Sequence, residues 1–304
     1  MKHFLLRLFA VIGVVAVIGS LISGTITWLW FKDLTEPPQA PKEMVLSLDL
    51  TQPISELPTD FNFSLRKVLY GEETSLSLVY LVRALERAKD DPAVKGVIVR
   101  VGAQAPSLAQ AQEIDDAIRR FRESGKFSYA YADNYGSFGS GASAFLSASG
   151  IENRWLQPVG VVGIKNIGIE APFAKTALGK IGVQADFIRR KEYKSAMETV
   201  TNDAFSAPVK ENMLAMLGDL NDQVARRLAA NLKIDEPQAK TLLSGGPYTT
   251  AESLKAGLVT KLDYMDSFFD EIDSKAGKSA KIVDPATYLY YLGIQQNEAP
   301  KSKI

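Results

Sequence analysis

The chain contains no cysteine, which excludes a disulfide framework, a thiolate-ligated metal and a thiol nucleophile. It has a single histidine, His3, placed ahead of the first apolar run. A Ser-His-Asp triad is therefore out of reach, and so is a zinc site of the H-E-x-x-H kind. Formal net charge is zero, without the concentrated basic face that nucleic acid requires, so nucleic acid is not an expected partner. If the chain is hydrolytic, its base must be lysine or a carboxylate.

What is present belongs to a folded protein. The 304 residues are 46% apolar and 23% charged, enough for one large domain or two small ones. The start, "MKHFLLRLFAVIGVVAVIGSLISGTITWLWFKDL", sets Lys2 and Arg7 before an uncharged run over residues 8–31. About twenty apolar residues at ~1.5 Å each span the ~30 Å of a bilayer's hydrocarbon core. Trp28 and Trp30 lie where an interfacial belt belongs, and Lys32 follows. An uncleaved transmembrane anchor is expected, with a cytoplasmic N-terminus. A cleaved signal peptide is the alternative, but its apolar core is usually ~7–15 residues long. "TEPPQAPK", residues 35–42, then reads as a stiff proline-rich spacer.

From Met44 the pattern alternates. "MVLSLDL" is a strand, and "SLVYLVRALERAKDD" a helix with Leu78, Leu81, Leu85 and Ala88 on one face, closing at Pro92. "VKGVIVRVG" suits a strand buried on both faces. "SLAQAQEIDDAIRRFRESG" runs from a Ser107 N-cap to Gly125, and its Glu113, Asp115 and Asp116 read as solvated charge. "FSYAYAD", "RWLQP" and "VGVVGI" read as strands, followed by a helix near residues 172–178 and a strand at "VQADFIRR". A long amphipathic helix carries Met213, Leu217, Leu220, Val224 and Leu228 as one stripe. "TTAESLKAGLVTKLDY" has a capping box from Thr249 to Glu252, a stop at Gly257 and a strand. "FFDEIDSKAGKSAK" reads as solvated charge. Strands alternating with helices predict an α/β domain with a largely parallel sheet.

Two segments could carry chemistry. In "RRKEYKSAMETVTNDAFSAP", Lys194 has Tyr193, Ala196 and Met197 as neighbours. Desolvation can lower a lysine pKa from ~10.4 by ~3 units, into the range of a general base. On physical chemistry alone, a solvated lysine beside Arg189, Arg190 and Lys191 is the simpler reading. "GSFGSGASAFLSAS", residues 136–149, could form a nucleophile turn or an oxyanion hole of backbone N–H groups. It could equally be a small-residue loop entering a helix. It contains neither a G-x-S-x-G elbow nor a phosphate-binding loop.

"EYKSAMETVTNDAFSAPVKENM", with "ENRWLQPVGVVGI" upstream and "GGPYTTAESLKAGLVTKLDY" downstream, resembles the membrane-anchored signal peptide peptidase (protease IV) family. These are Ser/Lys serine peptidases on a Clp/crotonase-like fold. The resemblance runs from the anchor to about Tyr291. It implies an anchor over residues 1–34, a linker over 35–43, a peptidase domain over 44–291 and a tail over 292–304. It makes Lys194 the general base. Long members carry two copies of the fold, the first supplying lysine and the second serine; this chain resembles the first copy and ends at Ile304, about where a second would begin. Aligned on "WLQP", the nucleophile position of the short members falls on Ala142, with Ser143 one residue later and Ser140 in the same loop. The family's glycine-rich oxyanion segment is replaced by "VGAQAPSL", residues 101–108.

The resemblance thus implies a bacterial inner-membrane protein with its domain on the periplasmic side. It would act on cleaved signal peptides or other apolar peptides without metal or cofactor. It would assemble as a homo-oligomer or pair with a serine-bearing second domain. A non-catalytic anchored scaffold for membrane proteases is the alternative.

Overall fold

The computed structural model describes residues 13, 17–28, 40–56, 76–136 and 141–293. Residues 41–286 make one compact unit, and residues 1–40 and 287–304 belong to a second. Most of the expected anchor, including Trp30, lies outside the described residues, as do most of the linker, Ser140 and nearly all of the tail. Within the anchor, residues 17–28 are helical and all exposed. Val17, Ile18, Leu21, Ile22, Ile26 and Trp28 are each at least half exposed. The Thr25 and Thr27 hydroxyls donate back to carbonyls of the preceding turn, Leu21 and Ser23 among them, so these polar groups do not interrupt an apolar surface. Among the described residues no helix is long and apolar enough to cross a membrane.

The compact unit is built on six parallel strands. They are β1 (Met44–Asp49), β4 (Val94–Val101), β5 (Phe127–Ala132), β6 (Asn153–Leu156), β9 (Lys261–Leu262) and β10 (Lys281–Val283), in the spatial order β10-β1-β4-β5-β6-β9. Two small ribbons stand apart from this sheet. One pairs β2 (Ile54–Ser55) with β3 (Leu76–Ser77), and the other pairs β7 (Val161–Val162) with β8 (Tyr248–Thr249). Parallel strands require covered faces, and the helices between them supply the cover.

The helices include α1 (Leu78–Asp90), α2 (Leu108–Arg122), α3 (Gly141–Ser149), α4 (Lys175–Lys180), α5 (Glu198–Thr201), α6 (Ala207–Leu232), α7 (Glu236–Gly245), α8 (Thr250–Lys255) and α9 (Met265–Ala276), and a further helix spans Pro285–Tyr291. α1 packs on α2, α2 on α3, α3 on α6 and α6 on α7. Local chemistry sets their ends. Ser107 and Gln110 form a reciprocal capping box on α2, and Thr249 and Glu252 do the same on α8. Gly257, at φ +70°, follows α8 as expected. α1 buries Leu78, Leu81, Ala84, Leu85 and Ala88, the face that its period predicts.

β5 shows why the two sheet faces differ. Tyr129 and Tyr131 alternate with Ala130 and Ala132, and alternate residues point to opposite faces. The tyrosines join Trp155, Ile98 and Val45 in a cluster closed by Phe268, Ile272 and Ala276 of α9. Phe268 lies edge-on to Tyr129 at 6.2 Å and to Trp155 at 5.5 Å between centroids. The acidic-then-basic segment is thus partly structural, with Phe268, Ile272 and Ala276 buried and Asp270 and Asp273 in solvent.

Three features differ from expectation. "VQADFIRR" is not a strand; residues 183–190 are almost wholly exposed and in no sheet, and alternation cannot make a strand without an edge to join. The helix expected near 172–178 begins at Lys175. Asp115 is not solvated; it is 1% exposed. Its carboxylate accepts from Asn231 at 2.7 Å and from Arg227 at 3.3 Å. Glu113 is exposed as expected, and Asp116 is paired to the same Arg227 at 2.8 and 3.0 Å.

Candidate active site

The candidate site opens at the carboxyl end of the parallel strands, where α/β sheets place their ligands. Residues 133–136 lead from β5 to α3, whose nine residues are all buried. Only glycine allows the approach made there. A Cβ on Gly141 would stand 1.7 Å from the Gly163 oxygen, and one on Gly163 would stand 1.8 Å from the Gly136 oxygen. Gly136, Gly141 and Gly163 thus serve one contact, which seats the first turn of α3 against the segment leaving β7. α3 follows the small-residue helix reading of this stretch; residues 137–140, which would hold a turn before it, lie outside the described residues.

The first turn of α3 lines a cleft of about 630 Å³ with Leu108 of α2 and the extended residues 165–170. Ala142 and Ser143 are both part of its wall, and they are 5% and 7% exposed. The extended side is held by α6 and α7. Asn166 N donates to the Leu243 carbonyl at 3.0 Å, and Asn221 both accepts from Ile167 N at 2.8 Å and donates to its carbonyl at 3.0 Å. At the position that the family resemblance assigns to the nucleophile, the cleft presents a methyl group.

Lys194 lies elsewhere. It does not line this cleft, and it is exposed together with Tyr193, Ala196 and Met197. It sits on a strap that leaves the cleft wall after residue 170 and returns at the start of α6. Phe173 and Phe205 close the root of the strap edge-to-face at 5.0 Å. Ala174 N donates to the Thr199 carbonyl at 2.7 Å, and Thr176 donates to Asp203 at 2.6 Å. The apolar neighbours that could desolvate Lys194 are in the sequence, but within this chain they do not enclose it.

Near Lys194 one group is buried. Glu198 is 3% exposed. It accepts from the Ser206 hydroxyl at 2.6 Å, the Ser206 backbone N–H at 2.9 Å and Arg189 at 2.5 Å. The Ser206 hydroxyl, followed by its N–H and then Arg189, holds the Glu198 carboxyl below the usual glutamate range, against the opposing effect of burial. Sequence reasoning did not single out Glu198 or Arg189. The available signal was a carboxylate four residues past Lys194 and eight before the Ser206-Ala207-Pro208 helix start.

Behind the cleft, Asp115 ties α2 to α6, and Asn231 also donates to the Ser149 hydroxyl of α3 at 2.8 Å. Burial raises the Asp115 pKa, while the Arg227 hydrogen bond lowers that of Asp116. Among the described residues no group of three or more acidic or histidine side chains could hold a metal.

The chain is 30% identical over 213 residues to Protease 4 of Haemophilus influenzae, covering 64% of this chain and 33% of that protein. It is 29% identical over 194 residues to Protease 4 of Salmonella typhi, covering 61% and 30%. Against the chloroplastic serine protease SPPA of Arabidopsis thaliana the figures are 21% over 257 residues, 84% and 36%. The chain therefore spans about a third of the length of these curated relatives. A mutant ClpP1 from Listeria monocytogenes superposes with a TM-score of 0.40 at 9% identity, over 74% of this chain and 93% of its own. Residues 120–279, which include α3, the strap and Lys194, match Peptidase family S49, and the chain belongs to that family.

Proposed function

We propose that this chain supplies the lysine half of a membrane-anchored Ser/Lys endopeptidase, on a Clp/crotonase-like domain spanning residues 44–291. The observation that carries the reading is the pairing of a family-matched Lys194 segment with Ala142 in the cleft wall. In the reaction, neutral Lys194 takes the proton of a serine hydroxyl as its oxygen attacks a peptide carbonyl. It then returns that proton to the leaving amine. The serine comes from a second domain or another subunit, because Ala142 has no hydroxyl to offer. Ser143 is the competing nucleophile, one residue off the matching position. A misplacement of ~1 Å already costs ~100-fold in rate.

The need for a partner is supported by the exposed apolar residues of the strap and of α6. Ile181 is 73% exposed and Ile188 93%, with Phe187, Tyr193, Leu214 and Met216 also in solvent. Such an apolar surface on a strap and on the adjoining half of α6 is an interaction surface. A partner that covered the strap would take Lys194 out of water, the setting in which a lysine serves as a general base. Substrates are extended apolar peptides, signal peptides among them. Residues 1–34 are the anchor, 35–43 the linker and 292–304 the tail, with the N-terminus cytoplasmic and the domain periplasmic in a bacterial inner membrane. The exposed apolar helix of residues 17–28 supports the anchor.

The same methyl group at Ala142 favours one alternative, a non-catalytic scaffold subunit of membrane proteases. A single experiment separates them. The detergent-solubilised chain is incubated with a fluorogenic apolar peptide, alone and with a serine-bearing S49 domain. Cleavage only in the mixture, abolished by Lys194→Ala, is the expected result. No cleavage in either, or cleavage indifferent to Lys194→Ala, rejects the reading.

A further inference from the structure

We propose that Glu198 and Arg189 are positioning residues that bracket Lys194 and fix its segment relative to the core; the proposal rests on the reading of Lys194 as the base. Arg189 lies five residues before Lys194 and Glu198 four after, and their ion pair at 2.5 Å closes the segment into a loop. The same Arg189 nitrogen donates to the Lys194 carbonyl at 3.4 Å.

The segment has little else to hold it. Residues 189–197 are exposed except for Ser195, which is half-buried. The Lys194 N–H meets the Lys191 carbonyl only at 3.4 Å. Lys191 itself has φ +72°, a left-handed conformation that a non-glycine residue adopts only when its surroundings impose it. A loop without packing must be ordered by directed contacts, and the strongest of these are charge-assisted. Glu198 provides three, two of them to Ser206.

Ser206 is the N-cap position of α6. α6 is in turn fixed by Asn221 to the cleft wall at Ile167 and by Arg227 and Asn231 to α2 and α3. An unbroken series of contacts therefore runs from the helices behind the cleft, through α6, Ser206, Glu198 and Arg189, to the Lys194 backbone. It places the base independently of any apolar cover. The bracket also sets charge. Glu198 neutralises the Arg189 guanidinium, so removing either partner changes the net charge of the segment that carries Lys194, alongside Arg190, Lys191 and Glu192.

The test uses the full-length chain in detergent with isotope-labelled lysine, the Lys194 amine signal being assigned through Lys194→Arg. Glu198→Gln leaves Arg189 uncompensated and is expected to lower the Lys194 titration midpoint. Arg189→Gln leaves Glu198 uncompensated and is expected to raise it. In both variants the backbone-bonded amides of Glu198, Thr201 and Asn202 should exchange about tenfold faster or more, as expected for loss of a hydrogen bond to a charged group. A purely structural role would speed exchange but would not shift the midpoint in opposite directions. Arg189 is exposed, so its variant reports even where Glu198→Gln disturbs the start of α6. Midpoints that stay put or move together, or unchanged exchange, would overturn the bracket. Peptide cleavage by Lys194→Ala in the paired assay judges the base assignment separately, so the two ideas can fail one at a time.

Discussion

The sheet core and the strap that carries Lys194 are built on opposite principles. In the core, Phe268 is fully buried among Tyr129, Tyr131 and Trp155, and its position is fixed by packing. On the strap, Ile188 is 93% exposed and position is set by one carboxylate, one guanidinium and a helix start. α6 contains both regimes. Val224 and Leu228 are buried, whereas Met213, Leu217 and Leu220 of the same stripe are only half-covered. One half of this helix is packed into the domain, and the other half presents an apolar stripe that the domain only partly covers. On the proposed reading, the strap is the part of the molecule that a partner completes.

Substitutions should separate the two regions sharply. Phe268→Ala should cost about 3–5 kcal/mol, the range for an aromatic lost from a packed core, read from urea denaturation of the domain. A loss under ~1 kcal/mol would mean that α9 is not part of the cooperative unit. Arg227→Ala comes next, at about 2–3 kcal/mol, because it strips a hydrogen bond and a counter-charge from the buried Asp115 carboxylate. The same denaturation series measures it, and it joins the core to the buried half of α6. Ile188→Ser should change stability by no more than ~0.5 kcal/mol, while weakening association with any serine-bearing partner in a sedimentation assay. If it unfolded the domain, the contrast between packed core and open strap would be wrong.

The two neighbouring aspartates sharpen the contrast through pH. Burial raises Asp115, so the stability it contributes is full below its ordinary value of 3.8 and is lost as pH rises through its folded-state pKa. The Arg227 hydrogen bond lowers Asp116, so its contribution is present above 3.8 and is lost as pH falls through its folded-state pKa. On either side of 3.8 the two variants should therefore part: raising pH above it should narrow the stability deficit of Asp115→Asn, and lowering pH below it should narrow that of Asp116→Asn. Denaturation midpoints across that range read the signs, and parallel behaviour would contradict the assigned environments.

Much of the core was legible from sequence because local chemistry and period agreed there. Ser107 with Gln110, Thr249 with Glu252, and the leucines of α1 each stated their element without tertiary context. Elements that depend on a distant partner were not legible. "VQADFIRR" has strand composition but no sheet edge to join, and Asp115 looks solvated until Arg227 and Asn231 arrive from more than a hundred residues away. In the candidate site, Lys194 and the Ala142/Ser143 position were found through family resemblance, since neither has a spacing that declares it. Glu198 was missed because an ion pair across a turn leaves no period to read. The three glycines at α3 were visible as residues, but their shared contact appears only when β5, α3 and β7 are brought together.

The central claim is that this chain carries a base on a strap and no nucleophile in its cleft. The most direct test is to expose the full-length chain to a serine-reactive fluorophosphonate probe and locate any label by peptide mass spectrometry. The account predicts no labelled serine in this chain, with label appearing on the partner's serine once a serine-bearing domain is added. Label on Ser143 of the chain alone, lost in both Ser143→Ala and Lys194→Ala, would contradict it and make the chain a self-sufficient peptidase.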